Sequence, residues 1–216
     1  MSTIRLIVGL GNVGPSYEST RHNVGFWFVD ALAQQYNGRF REERKFNGEI
    51  CRVTIADQDV WLLKPSTFMN LSGNAVVALA LYYKILPDEI LVVHDELDLF
   101  PGTMKFKRGG GNAGHNGLKD ISAKLSTPDF WRLRIGIGHP RKFGWEQGVA
   151  DFVLSSPSEE HRQGIDKCIE AGRKAIPYIV SGDMNRVSRL LNPLGSLPKV
   201  KEAPKAIATE TPNPVS

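Results

Sequence analysis

The sequence has few cysteines and no long hydrophobic run, and both absences narrow the class of protein. Only Cys51 and Cys168 occur in 216 residues, so neither a disulfide framework nor a cysteine-based zinc site is predicted. We interpret both as buried thiols in a reducing cytosol. No apolar stretch approaches the roughly 18 residues of a membrane span, and the N-terminal apolar run is too short for a signal peptide. We therefore expect a cytoplasmic globular protein that does not bind membranes.

Several motifs of nucleotide-binding proteins and hydrolases are also missing. No Gly-Lys dipeptide occurs, which excludes a P-loop. There is no G-x-S-x-G nucleophile elbow and no H-E-x-x-H metal pair. A metal site could still be assembled from the group His94, Asp95, Glu96 and His115, but no motif supports it. The sequence thus predicts neither a resident metal nor a cofactor.

Charge is unevenly distributed along a chain whose net charge is only +4. Residues 86–100 contain five acids and no lysine or arginine. Residues 101–124 contain one acid and five bases, which are Lys105, Lys107, Arg108, Lys119 and Lys124. Such local sorting is typical of a phosphate-binding surface. The alternative is a solvated surface of mixed sign.

The stretch Ile4 to Gly25 is the most informative part of the chain. An apolar, β-branched run predicts a strand over 4–8, which breaks at the glycine-rich turn 9–14. His22 and Asn23 then stand at the start of a predicted helix. Because open α/β sheets carry their sites at the carboxyl ends of strands, His22 is a candidate reactive side chain. The alternative is a capping or core histidine.

The turn 9–14 also has the formal pattern G-x-G-x-x-G. A dinucleotide site needs the helix to begin inside that pattern, so that backbone amides face the pyrophosphate. Here Pro15, Ser16 and Tyr17 intervene. The nearest acid at a suitable distance, Asp30, falls inside the predicted helix. A dinucleotide site is therefore disfavoured.

Strand and helix patterns alternate through most of the chain. Strands are predicted at 48–55, 60–64, 90–93, 103–107 and 132–137, and helices at 23–36, 70–83, 118–125, 158–180 and 183–191. This order predicts an α/β fold with a single domain, residues 1–192, whose twisted mixed β-sheet has helices on both faces. From residue 193 to 216 the composition becomes proline-rich and lacks aromatics, which predicts a disordered C-terminal tail.

Polar groups suited to hydrolysis stand at the ends of several predicted elements. They are Asn12 and His22 from the first strand and turn, Asn70 at a helix start, Asp95 after the apolar run 90–93, and His115 with Asn116 in the glycine-rich stretch 108–117. A histidine oriented by a carboxylate can take a proton from water. An asparagine amide can donate to an oxyanion. The set fits hydrolysis of an ester or amide without a covalent nucleophile.

The motifs that contain these residues resemble those of bacterial peptidyl-tRNA hydrolase. They are VGLGN, TRHNVG, KPSTFMNLSG, VVHDELDL, KFKRGGGNAGHNGLKD and RLRIGIGHP, in family order from about Ile4 to Leu191. The family cleaves the ester that joins a stalled nascent peptide to the 3′ ribose of tRNA. The resemblance implies a monomeric α/β enzyme that supports translation and ribosome rescue, uses tRNA as its partner and needs no metal or cofactor.

The resemblance also implies a role for each matched residue. His22 would be the base that activates water, and Asp95 would orient it. Asn12 and Asn70 would hold the peptide near the ester, and Asn116 would position water or the tRNA side of the ester. The residues expected to line the cleft are Tyr17, Met69 and His115, and those expected to bind tRNA phosphates are Lys105, Lys107 and Arg134. Val13 departs from the proline usual at its position, which would loosen the Asn12 loop without removing chemistry.

Simpler interpretations exist for single residues and for the whole chain. Asn70 could cap its helix, Met69 could belong to the core, and the glycine-rich stretch could be a flexible connector. The protein as a whole could bind RNA without catalysis, although the presence of both His22 and Asp95 argues against this. It could also be a carboxylesterase that acts on small esters.

Overall fold

The computed structural model describes residues 3–195. Most of the tail predicted at 193–216 lies outside the described residues, and its first three residues form a turn after the last helix. Within the described range no helix is long and apolar enough to cross a membrane.

A seven-stranded sheet forms the centre of the molecule. Its strands, in chain order, are β1 (Leu6–Gly9), β2 (Arg41–Glu43), β3 (Gly48–Ile55), β4 (Gln58–Pro65), β5 (Ile90–Glu96), β6 (Met104–Arg108) and β7 (Trp131–Gly136). In space they lie in the order β2-β3-β4-β1-β5-β7-β6. The four strands β4, β1, β5 and β7 pair in parallel, while β2, β3 and β6 make antiparallel pairs toward the two edges. The predicted mixed sheet is confirmed.

Helices cover both faces of this sheet, as the sequence predicted. They are α1 (Val24–Gln35), α2 (Ser72–Tyr82), α3 (Asn116–Leu125), α4 (Val149–Val153), α5 (Glu159–Val180) and α6 (Met184–Leu191). One hydrophobic core joins α1, α4, α5 and α6 to the sheet, with Phe28 and Ile176 among its buried side chains. A second core joins α2 and α3 to the opposite face, with Val76 and Ile121 fully buried or nearly so.

The central strand β5 is longer than its apolar run indicated. The sequence predicted an end at Val93, but the strand continues through Glu96, and all seven of its residues are buried. The extension forms because residues 94–96 pair with residues 134–136 of β7. Backbone pairing of this kind does not require apolar side chains. As a result, Asp95 lies on a rigid strand instead of a loop.

Two elements were absent from the prediction, β2 and α4. The strand β2 has the sequence Arg-Glu-Glu and lies at the sheet edge, so it shows no alternation of apolar residues. The helix α4 has only five residues, fewer than two turns, which is too short to show helical periodicity. The missed prediction of α4 matters because residues of this helix line the cleft that contains His22 and Asp95.

A glycine contact positions the start of α1 against the sheet. A Cβ atom on Gly25 would overlap the backbone of Leu10 and the carbonyl oxygen of Val93. The first turn of α1 therefore lies in direct backbone contact with the ends of β1 and β5. Because His22 lies two residues before this helix, the contact brings it to the end of β5.

Replacing Gly25 with alanine is expected to destabilise the protein by about 3 kcal/mol, the upper end of the usual cost of overpacking, because backbone atoms cannot move aside as side chains do. Denaturant unfolding measures the change. The matched control is Gly111→Ala, since a Cβ there meets nothing within 4 Å. Equal unfolding midpoints for the two variants would show that the contact is unimportant.

Candidate active site

The histidine and carboxylate singled out in the sequence are hydrogen-bonded to each other. His22 lies on a 3-10 helix (Arg21–Asn23) just before α1, and Asp95 lies on β5. The His22 Nδ1 atom is 2.9 Å from Oδ2 of Asp95 and 3.1 Å from Oδ1. The side chain of His22 keeps 13% of its surface exposed, whereas that of Asp95 keeps 2%. The imidazole is thus reachable from solvent and the carboxylate is not.

A second histidine holds the same carboxylate. His115 Nε2 lies 2.9 Å from Oδ1 of Asp95. Its other ring nitrogen, Nδ1, caps the start of α3 by accepting from the backbone N–H groups of Gly117 and Leu118, at 3.2 and 3.3 Å. An atom that accepts two hydrogen bonds carries no proton, so the proton of a neutral His115 is on Nε2. His115 therefore donates to Asp95 in a fixed tautomer.

The same reasoning determines the tautomer of His22. An ionised carboxylate only accepts hydrogen bonds, so Nδ1 of His22 donates to Asp95 and Nε2 has the free lone pair. Burial acts to lower the pKa of His22, but the charge and hydrogen bond of Asp95 outweigh it and raise that pKa. Burial acts to raise the pKa of Asp95, but His22 and His115 outweigh it and hold that pKa well below its usual range. Asp95 therefore stays ionised.

His94 lies next to this pair but is kept neutral. It is buried, and its Nδ1 donates to the backbone oxygen of Asp95 at 2.8 Å. Burial and the neighbouring His115 lower the pKa of His94 to about 3. The two rings pack edge to face with centroids 5.1 Å apart. His94 thus supports His115 and Asp95 without competing for the proton.

The side chain of Asn12 is oriented by the backbone of another loop. Its Oδ1 accepts from the N–H of Met69 at 2.7 Å, which leaves its Nδ2 as a donor without a partner among residues 3–195. The loop itself is held by Asn23, whose Oδ1 accepts from the Asn12 N–H while its Nδ2 donates to the Asn12 carbonyl oxygen, at 2.8 and 2.9 Å. Asn12 is therefore presented as a hydrogen-bond donor in a defined position.

Of these residues, Asn12, His22, Asp95 and His115 line one cleft of about 330 Å³. Its polar lining consists of Asn12, His22, Asn70, Asp95, Glu96, His115 and Asn116, and its apolar lining is formed chiefly by Phe68, Met69, Leu97, Val149, Val153 and Leu154. A cleft with an apolar lining and a few converging polar groups is typical of a binding site for an organic substrate.

The predicted site residues differ in their placement. Asn70 and Asn116 are exposed at the starts of helical segments, and neither side chain makes a capping bond. Asn70 is thus available to a ligand. Met69 is 4% exposed and belongs to the core as well as to the cleft lining. Tyr17 lies outside the lining set, where its ring packs edge-on against Phe68.

The three predicted phosphate-binding bases lie together on β6 and β7. Lys105 pairs with Arg134 across the two strands, and Lys107 pairs with Arg132, so all four lie on one face of the sheet. Burial, Arg134 and Arg132 lower the pKa of Lys107. Such mutual repulsion between cations favours the binding of an anion.

Glu96 connects this basic face to the cleft. It lines the cleft, and its Oε1 accepts from Nε of Arg134 at 2.7 Å. The side chain of Lys105, on the same basic face, is held by a different contact: its Nζ donates to the backbone oxygen of Asn192 at 2.5 Å. The basic face and the His22–Asp95 pair are therefore adjacent.

Two other kinds of ligand considered from the sequence were a dinucleotide at the glycine turn and a metal ion. The first α-helix after the glycine turn begins only at Val24, and Gly11 packs against the ring of Phe26, so no α-helix begins inside the turn 9–14. Among residues 3–195, the side chains of His22, Asp95 and His115 each offer one atom that could bind a metal ion, and these three atoms lie within 4.8 Å of one another. This differs from the set suggested by the sequence. Here the two histidines share one carboxylate through N–H groups, an arrangement suited to proton transfer.

Comparison with known proteins identifies the family. The sequence profile of the peptidyl-tRNA hydrolase family matches residues 6–201. The chain belongs to the peptidyl-tRNA hydrolase family. It is 58% identical over 191 residues to the Neisseria meningitidis serogroup A peptidyl-tRNA hydrolase, a match that covers 88% of this chain and 98% of that protein. The Bordetella parapertussis enzyme is 54% identical over 189 residues and covers 88% of each chain.

A solved structure of the family has the same fold. The crystal structure of peptidyl-tRNA hydrolase from Acinetobacter baumannii superimposes with a TM-score of 0.85 at 43% identity, covering 90% of this chain and 97% of that one. Membership in the family makes this protein a hydrolase with a single mixed α/β sheet, as the sequence predicted.

Sequence reasoning missed several residues around the site. Asn23 stands beside His22 in the sequence but was given no role, although its side chain holds the Asn12 loop. Val149, Val153 and Leu154, in and just after α4, form an apolar wall of the cleft, called the α4 wall; this wall and the Glu96–Arg134 link were also missed. A signal for Asn23 was its place in TRHN, since an Asn side chain at a helix start often bonds to backbone groups. No sequence pattern could have indicated the α4 wall of the cleft, because it forms only through tertiary packing.

Proposed function

We propose that this protein hydrolyses the ester bond between a peptide and the 3′ ribose of tRNA, with His22 as the general base. The observation that carries the proposal is the His22–Asp95 hydrogen bond at the floor of a cleft whose rim joins a basic face. A cleft alone would suit many esters. A basic face beside it suits a substrate that carries phosphates.

Proton transfer would begin at Nε2 of His22. This atom takes a proton from a water molecule as the water oxygen attacks the ester carbonyl carbon. The imidazolium that forms is stabilised by Asp95, whose burial strengthens the interaction. The cation then returns a proton to the ribose 3′ oxygen as the carbon–oxygen bond breaks. The products are a free tRNA and a peptide carboxylic acid, which then loses its proton to solvent.

Three asparagine amides would bind the reacting group. Asn12 offers Nδ2 because its Oδ1 is occupied by the Met69 N–H. Asn70 and Asn116 line the same cleft, and their side chains make no hydrogen bonds within residues 3–195. We assign Asn12 and Asn70 to the peptide and the developing oxyanion, and Asn116 to water or the ribose side of the ester. Met69, His115 and Phe68, with Tyr17 behind it, would shape the cleft.

Hydrolysis of an N-acylated aminoacyl-tRNA tests the function directly. The purified protein is expected to release free tRNA from this substrate with a chelator present. A protein that only binds RNA would retard the tRNA in a gel without cleaving it. A small-ester hydrolase would cleave simple acyl esters as fast as acylated tRNA. Either result would contradict the proposal.

The basic face is proposed to bind tRNA phosphates through Lys105, Lys107 and Arg134. Replacing both Lys105 and Lys107 with glutamine is expected to raise KM for acylated tRNA and leave kcat nearly unchanged. It should also flatten the salt dependence of binding by about one log unit of slope per lost contact. Arg134 is kept in this test because its removal would leave Glu96 without its ion pair beside the cleft.

An acylated adenosine is the control substrate, since it lacks the phosphates of the acceptor stem. The double variant should cleave it at nearly the wild-type rate. A matched control variant is Arg52→Gln with Lys174→Gln, two exposed bases on β3 and α5 that do not line the cleft. A loss of equal size on both substrates would place the lysines in the catalytic centre instead.

Oligomeric state and location are also proposals. We propose a monomer, because one chain supplies every group of the cleft described above. We place the protein in the cytoplasm, because peptidyl-tRNA arises during translation. Gel filtration would show a dimer if the first proposal is wrong.

A further inference from the structure

Arg21, the residue just before His22, is a buried cation that has no counterion in the described part of the chain. It is 4% exposed, and it makes no ion pair within residues 3–195. Its Nη1 donates to three uncharged oxygens, the carbonyls of Phe152 and Ser155 at 3.1 and 3.2 Å and Oγ of Ser155 at 2.5 Å. A buried charge is costly unless its hydrogen bonds and contacts compensate for it. The position therefore calls for an explanation.

These contacts hold the carboxyl end of α4. The Arg21 guanidinium carbon lies 3.9 Å from the ring centre of Phe152 and 5.9 Å from that of Trp145. The Arg21 backbone N–H also donates to the Ser155 oxygen at 3.0 Å. An isolated helix of five residues is unstable in water. Arg21 thus provides the tertiary contacts that attach α4 to the segment carrying His22.

The opposite side of α4 forms part of the cleft. Val149, Val153 and Leu154 line it, and Val149 and Leu154 remain 40% and 42% exposed. Phe68, which is 58% exposed, adds another apolar side chain to the same cleft. Exposed apolar side chains in a cleft favour an apolar ligand group.

We propose that Arg21 is a positioning residue: it holds the α4 wall so that the wall can bind an apolar side chain on the amino acid esterified to tRNA. The inference rests on the proposed function and deepens it, because it assigns a substrate preference to this wall. Arg21 itself does not touch the substrate. Its guanidinium lies behind α4, where it sets the distance between the wall and the reacting ester.

The test compares wild type with Arg21→Ala on N-acetyl-leucyl and N-acetyl-glycyl esters of one and the same tRNA. Wild type should prefer the leucyl ester. In the variant, KM for the leucyl ester should rise about tenfold, the usual scale for loss of a small apolar contact, while KM for the glycyl ester changes less than about twofold. The pH profile and kcat should stay unchanged. Millimolar methylguanidinium should restore the leucyl KM by filling the vacated space.

Three further variants keep the test decisive. Arg162→Ala is the matched control, since its guanidinium also stacks on an aromatic ring, 3.8 Å from Trp27, but lies outside the cleft lining. It should leave both KM values unchanged. Arg21→Lys keeps the charge without the planar group and should behave like Arg21→Ala. If Arg21→Ala does not fold, Ser155→Ala removes one acceptor and should raise the leucyl KM by a smaller factor.

Two outcomes would overturn the inference. One is an equal loss on both esters together with a fall in kcat, which would mean that Arg21 acts on His22. The other is an unchanged leucyl KM in a folded Arg21→Ala protein. Failure of the proposed function looks different, because wild type itself would then cleave neither ester.

Discussion

Replacing His22 with alanine is expected to abolish hydrolysis of peptidyl-tRNA. Loss of a general base typically lowers kcat on the order of a hundred- to ten-thousand-fold. His22 is the residue at the cleft floor with both a free ring nitrogen and a carboxylate partner. Single-turnover assays with N-acylated aminoacyl-tRNA measure the loss.

The binding of tRNA should survive this change. The hydrogen bond and ring contact of His22 go to Asp95 and His115 and not to the basic face of β6 and β7, so the affinity of His22→Ala for uncharged tRNA should equal that of wild type within about twofold. Circular dichroism and the melting temperature verify the fold. Activity close to the wild-type level would contradict the mechanism. A large loss of tRNA affinity would contradict the assignment of catalysis to His22 and of tRNA binding to the basic face of β6 and β7.

Replacing Asp95 with asparagine is expected to lower kcat nearly as much as loss of His22. His115 must donate through Nε2, because its Nδ1 already accepts from two backbone N–H groups. The amide oxygen of the new asparagine would therefore face His115, and its NH₂ group would face His22. His22 would then accept at Nδ1 and carry its proton on Nε2, where the base must be free. In Ser-His-Asp enzymes a wrong tautomer of this kind costs about ten-thousand-fold.

A double variant shows whether the activity lost in Asp95→Asn comes from the changed tautomer of His22 or from the loss of negative charge. When Asp95→Asn is combined with His115→Ala, the amide can rotate and offer its oxygen to His22. The double variant should thus be more active than Asp95→Asn alone, even though His115→Ala by itself removes a helix cap. If the double variant is less active than either single variant, the tautomer argument is wrong.

The pH dependence of kcat/KM provides a separate measurement. His22 must be neutral to accept a proton, and Asp95 raises its pKa above the ordinary value of 6.5. Activity should therefore rise with pH to a midpoint above 6.5. In Asp95→Asn the stabilising charge is gone, so the midpoint of the residual activity should move to lower pH. A midpoint that moves upward or stays fixed would argue against His22 as the base.

Much of this site was predictable because its residues follow short, recognisable patterns. The strand over β1, the glycine turn and the start of α1 all follow from hydrophobic periodicity and turn chemistry, and they place His22 at a sheet edge. The buried apolar run of β5 likewise indicated a central strand next to Asp95, although Asp95 lies inside that strand and not after it. These patterns depend on neighbours in the chain, which is why sequence alone could show them.

Other features depended on contacts between distant segments. His22 and Asp95 are 73 positions apart, and their hydrogen bond requires the backbone contact of Gly25 with the ends of β1 and β5. The fixed tautomer of His115 depends on its capping of α3. The α4 wall depends on Arg21, which reaches across 131 positions to Phe152.

The sequence by itself therefore determined the fold class, most of the strands and helices, and which side chains were available for proton transfer. Only the tertiary structure decided which of those side chains meet, which ring nitrogen carries the proton and what forms the apolar wall. The physical reason is that periodicity reports the burial of each residue within its own element. Hydrogen-bond direction and tautomer depend instead on the distances between elements, which packing sets.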